Sequence, residues 1–201
     1  NNLKDLTFSS SELEYLEKKD DLRMCVIPNA MPYSDIKNDK YIGFVADYMA
    51  LIENKIKKPI RVVETSSWKE SLDFIRTGKC DLLPSAVWNK QRDDEFSFTK
   101  PYLNIPFVLM TKSSNSFIDN LSSLKNKRIS IIENYAILNI LKNKYKEVEF
   151  VEVKDIDEGL NKVLNGETYG HIDAVFTAWH KLQTKYLKKI VLEKYLMMVG
   201  E

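Results

Sequence analysis

Trp68, Leu72 and Ile75 fall at i, i+4 and i+7, so they form one apolar stripe of a helix, and Gly78 ends that run. Asp81-Leu82-Leu83-Pro84 follows as a short strand. The same alternation of helix-period and short apolar segments recurs along the whole chain. It predicts a helix over 10–19, a strand over 22–27, a helix over 45–56, a strand over 60–64, a helix over 68–77 and a strand over 82–84. Phe107 to Thr111 is an unbroken apolar strand, and 112–120, rich in Ser and Asn, reads as a connection. Beyond it the pattern predicts strands over 128–132, 149–153 and 174–176, helices over 136–145, 156–164 and 179–187, and a last strand over 196–199. Strands alternating with helices imply right-handed βαβ units on mostly parallel sheets. The layout is an α/β chain of two lobes, 1–111 and 112–195, with 196–201 returning towards the first.

Composition narrows the function classes. A 201-residue chain with 44% hydrophobic and 29% charged residues has enough apolar content for a real core. Its 30 basic and 29 acidic residues leave a net charge of +1, which gives no electrostatic case for nucleic acid or an anionic membrane. The lysine clusters at 142–146 and 185–189 read as solvated helix faces. No stretch is long and apolar enough to span a bilayer. The only histidines, His171 and His180, lack metal-ligand spacing, so neither metal nor cofactor is expected. Cys25 in the first strand and Cys80 before the third are read as two buried thiols rather than a disulfide, because two strands of one sheet rarely offer the geometry for a bridge.

Several motifs with fixed spacing occur together. Trp68 opens a helix, Gly78-Lys79-Cys80-Asp81 follows, then Asn89-Lys90-Gln91-Arg92, an acidic stretch, and Phe98-Thr99-Lys100-Pro101-Tyr102. This order resembles the extracellular solute-binding protein family 3. The resemblance runs on through Leu6-Thr7-Phe8-Ser9, Met31-Pro32-Tyr33 and Gly43-Phe44 with Asp47. Downstream it includes Glu133-Asn134-Tyr135-Ala136 and Asp157-Glu158-Gly159-Leu160. In that form it is similar to the sensor domains of membrane-bound histidine kinases and diguanylate cyclases. The implied fold is a Venus flytrap, two α/β lobes closing on a ligand. The family pattern also adds a strand and helix to lobe 1 after the returning segment, so lobe 1 is expected to be incomplete at Glu201, with apolar surface left open.

The resemblance implies a set of ligand contacts at strand ends facing the cleft, where open α/β sheets place them. Arg92 matches the family's carboxylate-binding arginine, whose guanidinium offers two parallel charge-assisted hydrogen bonds; the competing reading is a surface arginine paired with Asp93, Asp94 or Glu95. Asn89 stands where the family has threonine and can still donate to a carboxylate, and Ser85 and Trp88 flank it. Tyr33 matches the family's stacking ring, while Trp68 serves equally as pocket wall or core packing. In lobe 2, Glu133, Asn134 and Tyr135 lie between a strand and a helix start, where free backbone N–H groups hold anions. The family's amino-acid binders carry an aspartate five residues after an Asp-Ala pair; counted from Asp173-Ala174, that position is Ala178. An amino-acid ligand would then need Glu133 or Thr177 as a substitute.

The implied function is extracytoplasmic binding of a small polar solute, an amino acid or small carboxylate, with closure signalling to a membrane-bound module. The alternatives are the solute-binding component of an ABC transporter, presenting a face to a permease, and a dehydratase-type enzyme on the same fold. No phosphate loop, nucleophile elbow or paired catalytic carboxylates support the enzyme. The chain therefore reads as a non-enzymatic periplasmic or extracellular bacterial ectodomain.

Overall fold

A computed structural model describes residues 7–116, 118 and 121–199. Leu6 of the opening motif, and Phe117, Asp119 and Asn120 of the expected connection, lie outside the described residues. The first lobe begins with α1 (Ser10–Glu17), capped by a reciprocal Ser9–Glu12 box that satisfies its first free N–H groups. The strand β1 (Leu22–Cys25) leads through a hairpin, β2 (Asp35–Lys37) and β3 (Lys40–Ile42), to α2 (Phe44–Ile56) and β4 (Ile60–Val63). Next come α3 (Trp68–Arg76) and the single turn α4 (Lys90–Asp93). Pairing of β1 with β4 is parallel, from Leu22↔Ile60 to Cys25↔Val63. The expected third strand over 82–84 is reduced to one bridge between Leu82 and Met24, because Pro84 cannot extend the ladder.

In the second lobe a five-stranded sheet runs in the order β7-β6-β8-β5-β9, built from β5 (Ile105–Lys112), β6 (Arg128–Ile132), β7 (Glu149–Val153), β8 (Gly170–Ala174) and β9 (Ile190–Val199). Around it lie α5 (Leu138–Lys144), α6 (Ile156–Asn165) and α7 (Val175–Thr184). Within this sheet β6 is parallel to β7 and β8, whereas β5 is antiparallel to both β8 and β9, so the sheet is mixed. The lobe boundary expected at 111/112 falls inside β5, which pairs along its length with β9. One helix is displaced from its expected place. The strand expected over 174–176 ends at Ala174, and α7 starts at Val175 rather than Trp179, because Val175, Ala178 and Leu182 make a helical stripe against the sheet.

Packing explains the tight positions. Ile156, Leu160 and Val163 of α6 meet Val108 and Met110 of β5. Gly159 lets α6 approach so closely that a Cβ there would fall on the His171 ring. Gly43, with φ of 109°, has no room for a Cβ against the Tyr33 carbonyl and starts α2 directly over it. On α2, Phe44, Tyr48 and Leu51 form an exposed apolar face, and the Tyr48 ring stacks on Tyr102 at 4.6 Å.

Cys25 and Cys80 form a disulfide, contrary to the two-thiol expectation. Cys80 lies, as expected, in the turn after α3, but strand-pair geometry does not govern that turn, which brings the two Cα atoms to 5.7 Å, within the span a bridge requires. The next residue, Asp81, accepts from the Arg23 amide (2.8 Å), Arg23 Nε (3.1 Å) and Arg23 Nη2 (3.0 Å), and from the Lys19 ammonium. Burial alone would raise its carboxyl, but Arg23 and Lys19 outweigh that and hold it well below the usual range. The Gly-Lys-Cys-Asp motif is therefore a structural clasp joining α1, β1 and the α3 turn.

A second carboxylate ties the lobes together. Asp157, at the start of α6, accepts from Lys181 (2.7 Å), Lys185 (2.9 Å), Tyr186 (3.0 Å) and Asn29 Nδ2 (2.9 Å). Asn29 belongs to the first lobe and also accepts from Lys181 at 2.6 Å. Burial raises the Asp157 carboxyl, while Lys181, Asn29 and Lys185 together pull it far below the ordinary 3.8. A depressed folded value means the stabilisation is complete above the unfolded value and is lost as pH falls through the folded one.

Two outcomes are expected. Reducing the disulfide, or replacing both cysteines by serine, lowers stability in denaturant unfolding by about 2–4 kcal/mol, since the bridge closes a 55-residue separation. Asp157→Asn costs about 1–2 kcal/mol at pH 7, discounted because the side chain is one-quarter exposed. That difference from the parent narrows as the pH is taken below 3.8, read as paired unfolding curves across pH.

Candidate ligand-binding site

A cavity of about 550 Å³ opens between the lobes. From the first lobe Tyr33, Trp68, Ser85, Trp88, Asn89 and Arg92 line it; from the second, Tyr135, Ala136, Ala174 and Thr177. The polar end is built by α4. Its N-cap, Asn89, accepts from the Arg92 amide through Oδ1 at 2.9 Å and donates through Nδ2 to the Ala136 carbonyl at 3.3 Å. One amide thus caps the turn that carries Arg92 and bridges to the other lobe.

Arg92 is only 6% exposed. Its Nη1 donates to the Val87 carbonyl at 2.7 Å and its Nη2 to the Asn134 carbonyl, across the cleft, at 2.5 Å. The guanidinium carbon lies 5.7 Å from the centre of the Trp68 ring, within cation–π range. The acids beside it in sequence are not its partners: Asp93 accepts from Trp88 Nε1 at 2.8 Å, and Glu95 from Arg76 Nε at 2.7 Å. Among the described residues no carboxylate pairs with Arg92. Burial, with some help from Arg76 and against the opposing charge of Glu95, lowers its pKa to about 10, so it stays cationic at neutral pH.

Aromatic rings form the walls. Tyr33 is 4% exposed and packs edge-on against Phe44 at 4.7 Å and tilted against Phe176 at 6.0 Å. Burial holds its phenol well above the ordinary value, against a weaker opposing contact with the Phe176 backbone. The Ser85 hydroxyl is buried beside the Tyr41 and Tyr102 phenols. Trp88 sits at the rim, about half exposed. Thr177, on the first turn of α7, donates across the cleft to the Ala30 carbonyl at 3.4 Å. Behind the wall, Tyr135 donates to Asp173 Oδ1 at 3.2 Å, and burial next to that carboxylate keeps the phenol protonated. Asp173 also accepts from the Ala174 amide at 2.6 Å and faces His171 Nε2 at 3.4 Å, while His171 Nδ1 reaches Ser130 Oγ at 2.9 Å.

Glu133 and Asn134 do not line the cavity. The chain turns there with Asn134 in the left-handed region (φ 60°), which presents the Asn134 carbonyl to Arg92 and directs Glu133 to where its charge acts on Lys69. Nor is this turn a ready helix start, because α5 begins only at Leu138. Ala178 is fully buried among Val175 and Leu182 on α7, facing the sheet. Lys100, Phe98 and Phe107 line the cavity but were not singled out from the sequence; the first two belong to the Phe-Thr-Lys-Pro-Tyr motif, which was their signal. No cluster of His, Cys, Asp or Glu among the described residues could hold a metal ion, and no described helix is long and apolar enough to cross a membrane.

Comparison with known proteins agrees with this architecture. The chain is 23% identical over 185 residues to the sensor protein EvgS of Escherichia coli O157:H7, covering 92% of this chain and 15% of that protein. It is 17% identical over 184 residues to the virulence sensor protein BvgS of Bordetella pertussis, again spanning 15% of the relative. The probable amino-acid-binding protein YxeM of Bacillus subtilis is 26% identical over 164 residues, which is 78% of this chain and 60% of YxeM. Among solved structures, the B. pertussis BvgS periplasmic domain superposes with a TM-score of 0.85 at 17% identity, over 96% of this chain and 38% of that one. An ancestral arginine-binding protein bound to arginine gives 0.80 at 16% identity, over 91% and 82%. These structural likenesses establish a Venus-flytrap fold. Residues 22–190 match the family model, and the chain belongs to the bacterial extracellular solute-binding proteins, family 3.

Proposed function

We propose that the chain binds a small carboxylate-bearing solute in the interlobe cavity, outside the cytoplasm, and that lobe closure on it signals to a membrane-bound module. The observation carrying this reading is the buried, unpaired guanidinium of Arg92. A buried charge with no bonded counter-ion is unfavourable, Glu95 acting on Arg92 only from a distance, and a carboxylate supplies both a direct counter-charge and acceptors for the N–H groups that Val87 and Asn134 leave free. The aromatic walls would hold the rest of the solute.

Closure follows from where the contacts come from. A solute touching α4 on one lobe and the Tyr135–Ala136 turn on the other favours the closed form, and only that differential affinity shifts the equilibrium. The segments connecting the lobes run into β5 and β9, which are the elements about which such movement would occur. The sensor reading is supported by the likeness to EvgS and BvgS. A transport role, with a permease as partner, is the second reading, favoured by the likeness to YxeM. No catalytic step is proposed, since the relatives named are sensor or binding proteins.

Arg92→Ala is expected to weaken binding of the cognate carboxylate by about 2–5 kcal/mol in calorimetric titration, with the far-ultraviolet spectrum unchanged. Unaltered affinity in a folded Arg92→Ala protein would remove the clamp.

A further inference from the structure

Resting on the clamp at Arg92, we propose that the cavity selects a carboxylate with an apolar body and no ammonium group, and discriminates against the matching α-amino acid. The charge inventory of the wall is one-sided. Arg92 and Lys100 are the charged residues lining it, and no aspartate or glutamate does. An ammonium brought into such a space would face two cations and no counter-charge, and a buried charge without a partner is the costliest group a site can be asked to hold.

The nearby carboxylates are all committed elsewhere. Asp173 lies behind the Tyr135 ring with its side chain 1% exposed, and it is engaged by Tyr135, the Ala174 amide and His171. To reach it, an ammonium would have to displace the tyrosine that forms the wall. Asp157 is held by Lys181 and Lys185, and Glu95 by Arg76. Glu133 does not line the cavity, and its charge acts on Lys69. The other polar side chains of the wall, among them Asn89, Thr99 and Thr177, are neutral.

The rest of the wall suits an apolar body. Ile27, Val45, Trp68, Phe98 and Phe107 present aliphatic and aromatic surface within a volume typical of small-molecule sites. The solute class is therefore an aryl- or branched alkyl-carboxylate, its carboxyl at Arg92 and its body against the rings.

Matched sets separate the carboxyl from the amine. The purified chain is titrated calorimetrically with 3-phenylpropanoate, phenylalanine and 2-phenylethylamine, with 4-methylpentanoate and leucine, and with arginine. The expected result is that each des-amino acid binds roughly tenfold or more tightly than its amino acid, because the latter buries an unpaired ammonium; the amine and arginine give no heat. Phenylalanine, leucine or arginine binding as tightly as the simple acids overturns the proposal, as does binding by none of the acids. Repeating the titrations on Arg92→Met, its fold checked by thermal unfolding, keeps the two readings apart. Amino-acid binding that is lost in Arg92→Met leaves the clamp standing and sinks only the selectivity. Simple acids binding parent and variant equally would sink the clamp itself.

Discussion

A buried guanidinium with carbonyls rather than carboxylates around it is the constraint on which this cleft depends. Arg92 takes one carbonyl from its own lobe, at Val87, and one from the other, at Asn134. Carbonyl dipoles orient the group and satisfy part of its hydrogen-bonding capacity, but they do not neutralise it. The site is therefore positioned and electrostatically incomplete at once. Arg23, much more exposed than Arg92, does have a carboxylate beside it in Asp81; the absence of one at the more deeply buried Arg92 is what the proposed ligand role rests on.

The scaffold that holds Arg92 is assembled from independent clasps. Asp81 and the Cys25–Cys80 bridge fix the α3 turn to β1. From there the chain runs through Pro84 and Ser85 to α4, so the path from clasp to guanidinium is short in sequence. Tyr33 is placed by a different device, the contact of Gly43 with its carbonyl, which leaves no room for a side chain. Disulfides persist where the surroundings are oxidising, which accords with the extracytoplasmic setting of the family.

Much of this was legible in the sequence because the motif and the hydrophobic period agree: Trp68, Leu72 and the Gly-Lys-Cys-Asp turn mark α3 and its exit, and the Asn89 to Arg92 motif marks the turn that carries the cation, whereas the capping of α4 by Asn89 was not legible, since the same amide reads equally as a ligand donor. What was not legible has physical reasons. The β2–β3 hairpin is two three-residue strands around Asn38 and Asp39, both with positive φ, too short to show an alternation. The start of α7 was missed because Val175 and Phe176 continue the apolar run of β8, and periodicity cannot divide a strand from a buried helix that follows without a turn. The disulfide was not legible because the geometry of two paired strands does not apply to Cys80, which lies in the turn before a strand and approaches Cys25 from there. Glu133 and Asn134 occupy the expected turn, but its left-handed residue reverses which groups face the cleft, and that cannot be read from residue types alone.

The lobes are joined across the cleft by some of the same groups that would bind the solute, and this bears on how occupancy and closure can be coupled. Arg92 bonds to Asn134, and Asn89 to Ala136, with no solute involved. A solute that displaced these bonds would exchange one cross-cleft contact for another and shift little, since equal affinity for two states shifts nothing. Arg92, however, still has N–H groups that neither carbonyl engages. A carboxylate using those would add its bonds to the Asn134 contact instead of replacing it, and an open form with Asn134 withdrawn would not offer both. The free N–H groups of Arg92, more than the number of contacts across the cleft, are thus what would make closure depend on the solute.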